Sequence, residues 1–235
     1  MVSRTPWGDF PDAVLCNDNE YTVRAHPAYR AAKAGDVDAA FQLVTHFLDD
    51  SYIQRIFNQI TGDEVPIVAA VHAEEEFGRN QIAAVLAGAI GDRLNLRVDQ
   101  SVVQSNIVNH TKATGWAKLA RQAEFKGPVR EKTSYLLVDD FIGQGGTLAN
   151  FRGHFSRRGA RVLGACVLTG KPYSVKLTVS STNLNALFAK HGSYIELFCQ
   201  ENFGFGAHCL TESEARWLAK AESIDAIRIA ITSAG

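Results

Sequence analysis

The chain is expected to fold as an α/β protein: a largely parallel sheet flanked by helices, with a helical N-terminal addition and a mixed C-terminal one. Three observations predict this. VPIVAAV (65–71), SYLLVDD (134–140) and ARVLGACVLTG (160–170) are continuous apolar runs of strand length, as in strands covered on both faces. Between the second and third, GTLANFRGHFSRRG carries helical spacing and stops at Gly159. Strand, helix, strand in that order requires a parallel pair.

The remaining elements follow in chain order. AAKAGDVDAAFQLVTHFLDDSYIQRIFNQI reads as helices broken at Gly35, with Asp36 as an N-cap. NQIAAVLAGAIG is helical, and LRVDQSVVQ is strand-like. From Ser105 to Lys132 the chain is polar, basic and without clear period, as in functional or mobile connections. Beyond residue 170, NLNALFAKHG reads as a short helix and SYIELF as a strand. Thr211 and Glu214 have capping-box spacing ahead of TESEARWLAKA, and SIDAIRIAITSA is a last amphipathic helix. The expected organisation is 1–62 as a helical extension, 63–170 as a core with a flexible loop at about 105–132, and 171–235 as a hood with helices.

Composition narrows the function classes. The 235 residues are 46% hydrophobic and 21% charged, an ordinary globular balance. A formal net charge of -1 provides no bulk attraction for nucleic acid or anionic membrane, so neither partner is expected. Arg152, Arg157, Arg158 and Arg161 cluster locally but have a simple reading as a solvated face. No apolar run spans a bilayer and the first residues lack a signal-peptide core, so a cytoplasmic location is expected. Cys16, Cys166, Cys199 and Cys209 show no CxxC or zinc-ligand spacing, and free thiols are expected.

The chemistry concentrates in VDDFIGQGGTL, where a strand ends in Asp139 and Asp140 and a glycine turn leads into a helix near Thr147. A helix N-terminus offers unpaired N–H groups and a positive dipole end to a phosphate. The Lys of a Walker loop is missing, and a dinucleotide fingerprint would carry its acid about 20 residues after the glycines instead of before them. Carboxylates accept hydrogen bonds from sugar hydroxyls, so the pattern suits a sugar phosphate held at both ends.

This stretch resembles the signature of the type I phosphoribosyltransferases: apolar strand, two acids, two apolar residues, two hydroxyl residues, then Gly-Gly-Thr. The match falls on Asp139, Asp140, Gly145, Gly146 and Thr147, while Gly143 and Gln144 stand in place of the two hydroxyl residues. Upstream, VAAVHAEEEFGRNQIAAVLAGAIG is similar to the ComF/GntX-like branch at His72, Gly78, Asn80 and Gln81. The similar regions run from residue 65 to 170.

The resemblance implies a phosphoribosyltransferase core and a magnesium-dependent transfer from phosphoribosyl pyrophosphate to an unidentified nucleobase-like or amine acceptor. It also implies a homodimer. Asp139 and Asp140 would hold the ribose, and Gly143, Gln144, Gly145, Gly146 and Thr147 the 5′-phosphate. His72, Ala73 and Arg79 would line a pyrophosphate loop, in which Glu74, Glu75 and Glu76 either point outward or meet magnesium. Mg2+ would be carried mainly by the ligand, without direct protein ligands. The polar stretch after Ser105 corresponds to a catalytic flap whose candidate cations are Lys112, Lys118, Arg121 and Lys126, with Lys112 and Arg121 taken as catalytic. Lys171 and Tyr173 would face the acceptor. The competing reading is a phosphoribosyl-binding module that transfers nothing and regulates or docks instead.

Overall fold

The computed structural model describes residues 4–62, 64–75, 78–106, 108 and 114–234. In chain order the elements are β1 (Val14–Asn17), α1 (Glu20–Ala25), α2 (Tyr29–Lys33), α3 (Val37–Phe47), α4 (Asp50–Ile60), β2 (Ile67–Ala70), β3 (Glu74–Glu75), β4 (Gly78–Arg79), α5 (Ile82–Leu94), β5 (Val98–Asp99), β6 (Val103–Gln104) and α6 (Gly115–Ala120). They continue with β7 (Phe125–Lys126), β8 (Ser134–Ile142), α7 (Gly146–Ser156), β9 (Arg161–Gly170), α8 (Ser181–His191), α9 (Tyr194–Phe203), α10 (Glu212–Lys220) and α11 (Ile224–Thr232).

The expected α/β architecture is present. Five strands form one sheet in the order β1-β9-β8-β2-β5, and every pairing in it is parallel. The three apolar runs supply its centre, with Val138 of β8 opposite both Ala70 of β2 and Cys166 of β9. Helices α3, α4 and α5 bury Leu43, Tyr52, Ile56 and Leu86 against one face. Phe151 and Phe155 of α7, with Trp7 and Phe10 from the N-terminal residues, cover the other.

This connectivity creates a switch point. From β2 the chain crosses through α5 to β5 on one side, and from β8 it crosses through α7 to β9 on the opposite side. The reversal lies between β2 and β8, and the crevice outside the carboxyl ends of two such strands is where open parallel sheets bind ligands. His72 follows β2, and Asp139 and Asp140 lie near the end of β8.

Several elements differ from the sequence expectation. The segment read as helical also contains β1, four residues long and seated at the sheet edge beside β9. LRVDQSVVQ divides into β5, which joins the main sheet, and β6, which forms a separate ribbon with β7. SYIELF is helical as the start of α9: Ile195, Phe198 and Cys199 are buried at three- and four-residue spacing, and Gly204 closes the helix at φ +80°. Tertiary burial of that stripe overrides the strand preference of its aromatic and β-branched residues. The capping box of Thr211 and Glu214 is present at α10.

Helices α8 to α11 and the residues between them build a third core around Phe198, Leu210 and Leu218. Leu119 of α6 is fully buried in this core, so the polar stretch after Ser105 contains a helix anchored to the C-terminal cap. Among the described residues the four cysteines are free thiols, and no helix is long and apolar enough to cross a membrane.

Candidate functional site

β8 is buried along nearly its whole length, and its continuous apolar run carries Asp139 and Asp140 to the carboxyl end of the sheet. Both aspartates are buried, at 6% and 7% exposure. The backbone N–H of Asp140 donates to Oδ1 of Asp139 at 2.8 Å, while Lys33 of α2 donates from Nζ to Oδ2 of Asp140 at 3.0 Å. The two carboxyls therefore titrate apart. Burial, reinforced by the Asp140 charge, pushes Asp139 well above the usual carboxylate range. Burial also opposes ionisation of Asp140, but the Lys33 charge and hydrogen bonds from Lys33, Asn80 and Asp139 outweigh it and hold that carboxyl below its ordinary value.

The turn after β8 passes through Gly145 in the left-handed region, φ +83°, and α7 begins at Gly146 without a side-chain cap. Its first amides are thus not taken by a capping side chain. A Cβ on Gly145 would lie 2.5 Å from Leu177 Cδ2, and one on Gly146 would lie 2.7 Å from Glu214 Oε1. Close neighbours exclude a side chain at both glycines, and the left-handed turn separately requires Gly145. The C-terminal cap also grips the loop directly: Thr211 donates from Oγ1 to the Gln144 carbonyl at 2.6 Å. Oε1 of Gln144 is buried without a hydrogen-bond partner among the described residues.

Beneath the start of α7 lies Arg4, which the sequence did not mark. Its guanidinium is buried and donates to both oxygens of Glu214 at 2.6 and 2.9 Å, to Asn150 Oδ1 at 2.6 Å and to Gln122 Oε1 at 2.9 Å. The group also stacks 4.0 Å from the Phe205 ring centre. Four distant segments meet at this one side chain, a relation without local signature.

On the β2 side, residues 72–80 form a tight excursion in which Glu74 pairs with Arg79 and Glu75 with Gly78. Gly78, at φ +134°, lets the ribbon touch the carbonyl of Ala34, where a Cβ would lie 2.4 Å away. Asn80 donates from its backbone to the Ala73 carbonyl at 3.2 Å, and its side chain helps hold Asp140 ionised, which links this loop to the acid pair. His72 is buried, with Nε2 lacking a partner among the described residues; burial, then the Arg79 charge, lowers its pKa. Glu76 lies outside the described residues, and only the backbone of Glu74 and Glu75 is described.

The other expected site residues are distributed unevenly. Lys112 lies outside the described residues. Arg121 donates to the carbonyl of Ala234 at 2.9 Å, in the C-terminal cap. Lys118, by contrast, brings Nζ to 3.1 Å from where a Cβ on Gly143 would stand. Lys171 is ion-paired with Glu20 of α1, and Tyr173 is 60% exposed beneath the guanidinium of Arg216, 5.2 Å from its ring centre. Thr147 occupies the first turn of α7. Of the local arginine cluster, Arg152 donates to the carbonyls of Thr5, Pro6 and Trp7, which makes it part of the N-terminal packing instead of a free basic face.

No group of three or more His, Cys, Asp or Glu side chains among the described residues could hold a metal ion. With Asp140 paired to Lys33 and Asp139 held toward its protonated form, the acid pair leaves Mg2+ to be held mainly by phosphate oxygens of a ligand.

No protein-family model matches the chain. It is 37% identical over 233 residues to Protein TraN of Escherichia coli, a match covering 99% of this chain and 52% of that protein. It is 34% identical over 153 residues to an uncharacterized protein of Haemophilus influenzae, covering 64% of this chain and 34% of that one. The chain thus spans about half the length of the first of these curated relatives and about a third of the second. Among solved structures, an adenine phosphoribosyltransferase from Thermoanaerobacter pseudethanolicus overlays with a TM-score of 0.38 and 17% identity, covering 57% of this chain and 74% of that one.

Proposed function

We propose that the chain binds a phosphoribosyl ligand at the carboxyl ends of β2 and β8 and transfers its phosphoribosyl group from phosphoribosyl pyrophosphate to a nucleobase-like or amine acceptor. One observation carries the reading: a buried acid pair and the uncapped start of α7 are separated by a single turn at the switch point of a parallel sheet. The spacing suits a pentose whose hydroxyls meet carboxylates while its phosphate meets amides.

In this reading Asp140, ionised beside Lys33, accepts ribose hydroxyls, and Asp139 faces the ring where positive charge develops as the anomeric bond breaks. The amides of Gly145 to Thr147 hold the 5′-phosphate. The excursion at His72, Ala73 and Arg79 receives the departing pyrophosphate. Mg2+ carried mainly by that group would neutralise its charge. Tyr173, after β9, faces the acceptor, while Lys171 is turned toward Glu20 of α1.

A second reading, a binding module without transfer, is favoured by Lys33, which already occupies one oxygen of Asp140. Calorimetry with phosphoribosyl pyrophosphate and Mg2+, paired with pyrophosphate release in the presence of a panel of bases and amines, separates the two. Binding with release supports the transferase, and binding without release supports the module. No binding refutes both.

A further inference from the structure

The glycine turn carries a cation where the resembling motif carries hydroxyls. Gly143 and Gln144 supply no hydroxyl, but Lys118 reaches this part of the loop, with Nζ 3.1 Å from the Cβ position of Gly143. Its direction is set by α6, whose Ala117 and Leu119 are buried on either side of it in sequence.

Two more cations converge on the same turn. The Arg24 guanidinium of α1 lies 4.7 Å from the Phe141 ring centre, and Cε1 of that ring is 3.5 Å from the same Gly143 position. Lys171 is fixed alongside, because its N–H donates to the Ile142 carbonyl at 2.8 Å. Glu20 pairs with Arg24 at 3.2 Å and with Lys171, which leaves Lys118 without a hydrogen bond or ion pair to a described residue. Three cations around one carboxylate leave two positive charges in excess beside the positive end of α7, which matches the charge of a phosphomonoester dianion. Burial, with Arg24 and Lys171 nearby, depresses the Lys118 pKa, as expected of an ammonium held among like charges.

We infer that Lys118 binds the 5′-phosphate of the sugar phosphate, supplying by charge the contacts that Gly143 and Gln144 cannot make. The assignment rests on the phosphoribosyl reading and deepens it: the helix after Ser105 serves the monoester end of the ligand instead of the pyrophosphate end.

Calorimetry of the full chain with ribose 5-phosphate and with inorganic phosphate tests this, because neither probe contains a pyrophosphate. Lys118→Met is expected to weaken both by about tenfold or more, with Lys118→Arg staying within a few-fold of wild type. Lys118→Gln, similar in length and polar, should show the same loss and guards against a Met variant that folds poorly. Unchanged ribose 5-phosphate affinity in Met and Gln variants overturns the Lys118 assignment and leaves the phosphoribosyl reading intact. Loss of phosphate binding in a protein that binds ribose 5-phosphate no better than inorganic phosphate supports Lys118 and removes the phosphoribosyl reading. A wild-type chain that binds neither probe overturns both.

Discussion

Lys33 Nζ lies 3.0 Å from Oδ2 of Asp140, across 107 residues of sequence, and joins the helical layer before β2 to the acid pair at the end of β8. The contact is largely buried, with side-chain exposures of 20% and 10%, so neither partner can exchange the other for water at low cost. Lys33→Met is expected to cost on the order of 3 kcal/mol in urea denaturation, since it leaves a buried carboxylate uncompensated. A Lys33→Met protein as stable as wild type would show that Asp140 finds another countercharge.

The split titration of the acid pair predicts opposite effects for two similar substitutions. Asp139 keeps its proton above the ordinary value of 3.8, so as pH rises past that value the native state binds more protons than the unfolded one and stability falls until the raised folded value is passed. Asp140 is the reverse: its contribution is present above its unfolded value and is lost as pH falls through its lowered folded value. At pH 7, Asp139→Asn should therefore raise the melting temperature, and Asp140→Asn should lower it by stranding Lys33. Asp140→Asn should also weaken binding of phosphoribosyl pyrophosphate, because the ribose loses a charged acceptor. Melting shifts of the same sign in the two variants would contradict the assignment of the proton to Asp139.

The parts of this arrangement that the sequence made legible are those that local pattern determines. β2, β8 and β9 stand out because strands buried on both faces are apolar without alternation, and the acid pair followed by glycines stands out because that run ends in charge. β1 is too short for a pattern, and its place comes from register with Cys166 and Val167 of β9. Lys33 sits in AAKAG, where a lysine reads as solvated, and only the packing of α2 brings it to Asp140. The resemblance puts Lys112 and Arg121 ahead of Lys118 among the cations of one polar stretch, although no local pattern separates the three. The burial of Leu119 in the C-terminal cap is what sets Lys118 apart, because it fixes which face of α6 turns toward Gly143.

Arg4 and Glu214 form a buried bidentate pair that fastens the chain's first described residue to α10 beneath the glycine turn. Removing one member strands the other, so Arg4→Met or Glu214→Gln should each cost roughly 3–5 kcal/mol. The double variant should cost less than the sum, because neither charge then remains uncompensated. Strict additivity in a denaturation cycle would mean that the pair contributes nothing beyond its separate contacts.

Gly145 combines two demands, a left-handed φ of +83° and a Cβ position 2.5 Å from Leu177 Cδ2. Alanine there meets backbone strain and overlap together, for a loss of roughly 2–4 kcal/mol. Leu177→Ala removes the overlap but not the strain, so it should rescue only part of the damage when combined with Gly145→Ala. Full rescue would locate the whole cost in side-chain packing. The phosphate probes then report whether a restored fold also restores the amide cradle.

His154 tests how firmly α7 is held to the ribbon that precedes β8. Its Nε2 meets the Gly127 carbonyl at 3.2 Å while Nδ1 meets the Arg158 guanidinium at 3.1 Å, so the neutral ring donates on one side and accepts on the other. A second proton would face Arg158, and burial followed by that charge lowers the pKa from 6.5. The unfolded chain thus takes up protons that the native state refuses, and stability should decline as pH falls below about 6.5, until the folded value is reached. His72, also buried and lowered, contributes with the same sign. His154→Gln should therefore flatten the acid limb of a stability-against-pH curve in part, and a further His72→Gln should flatten it more. An acid limb as steep in the double variant as in wild type would assign acid sensitivity to the carboxylates, with Asp140 and its Lys33 contact the first to examine.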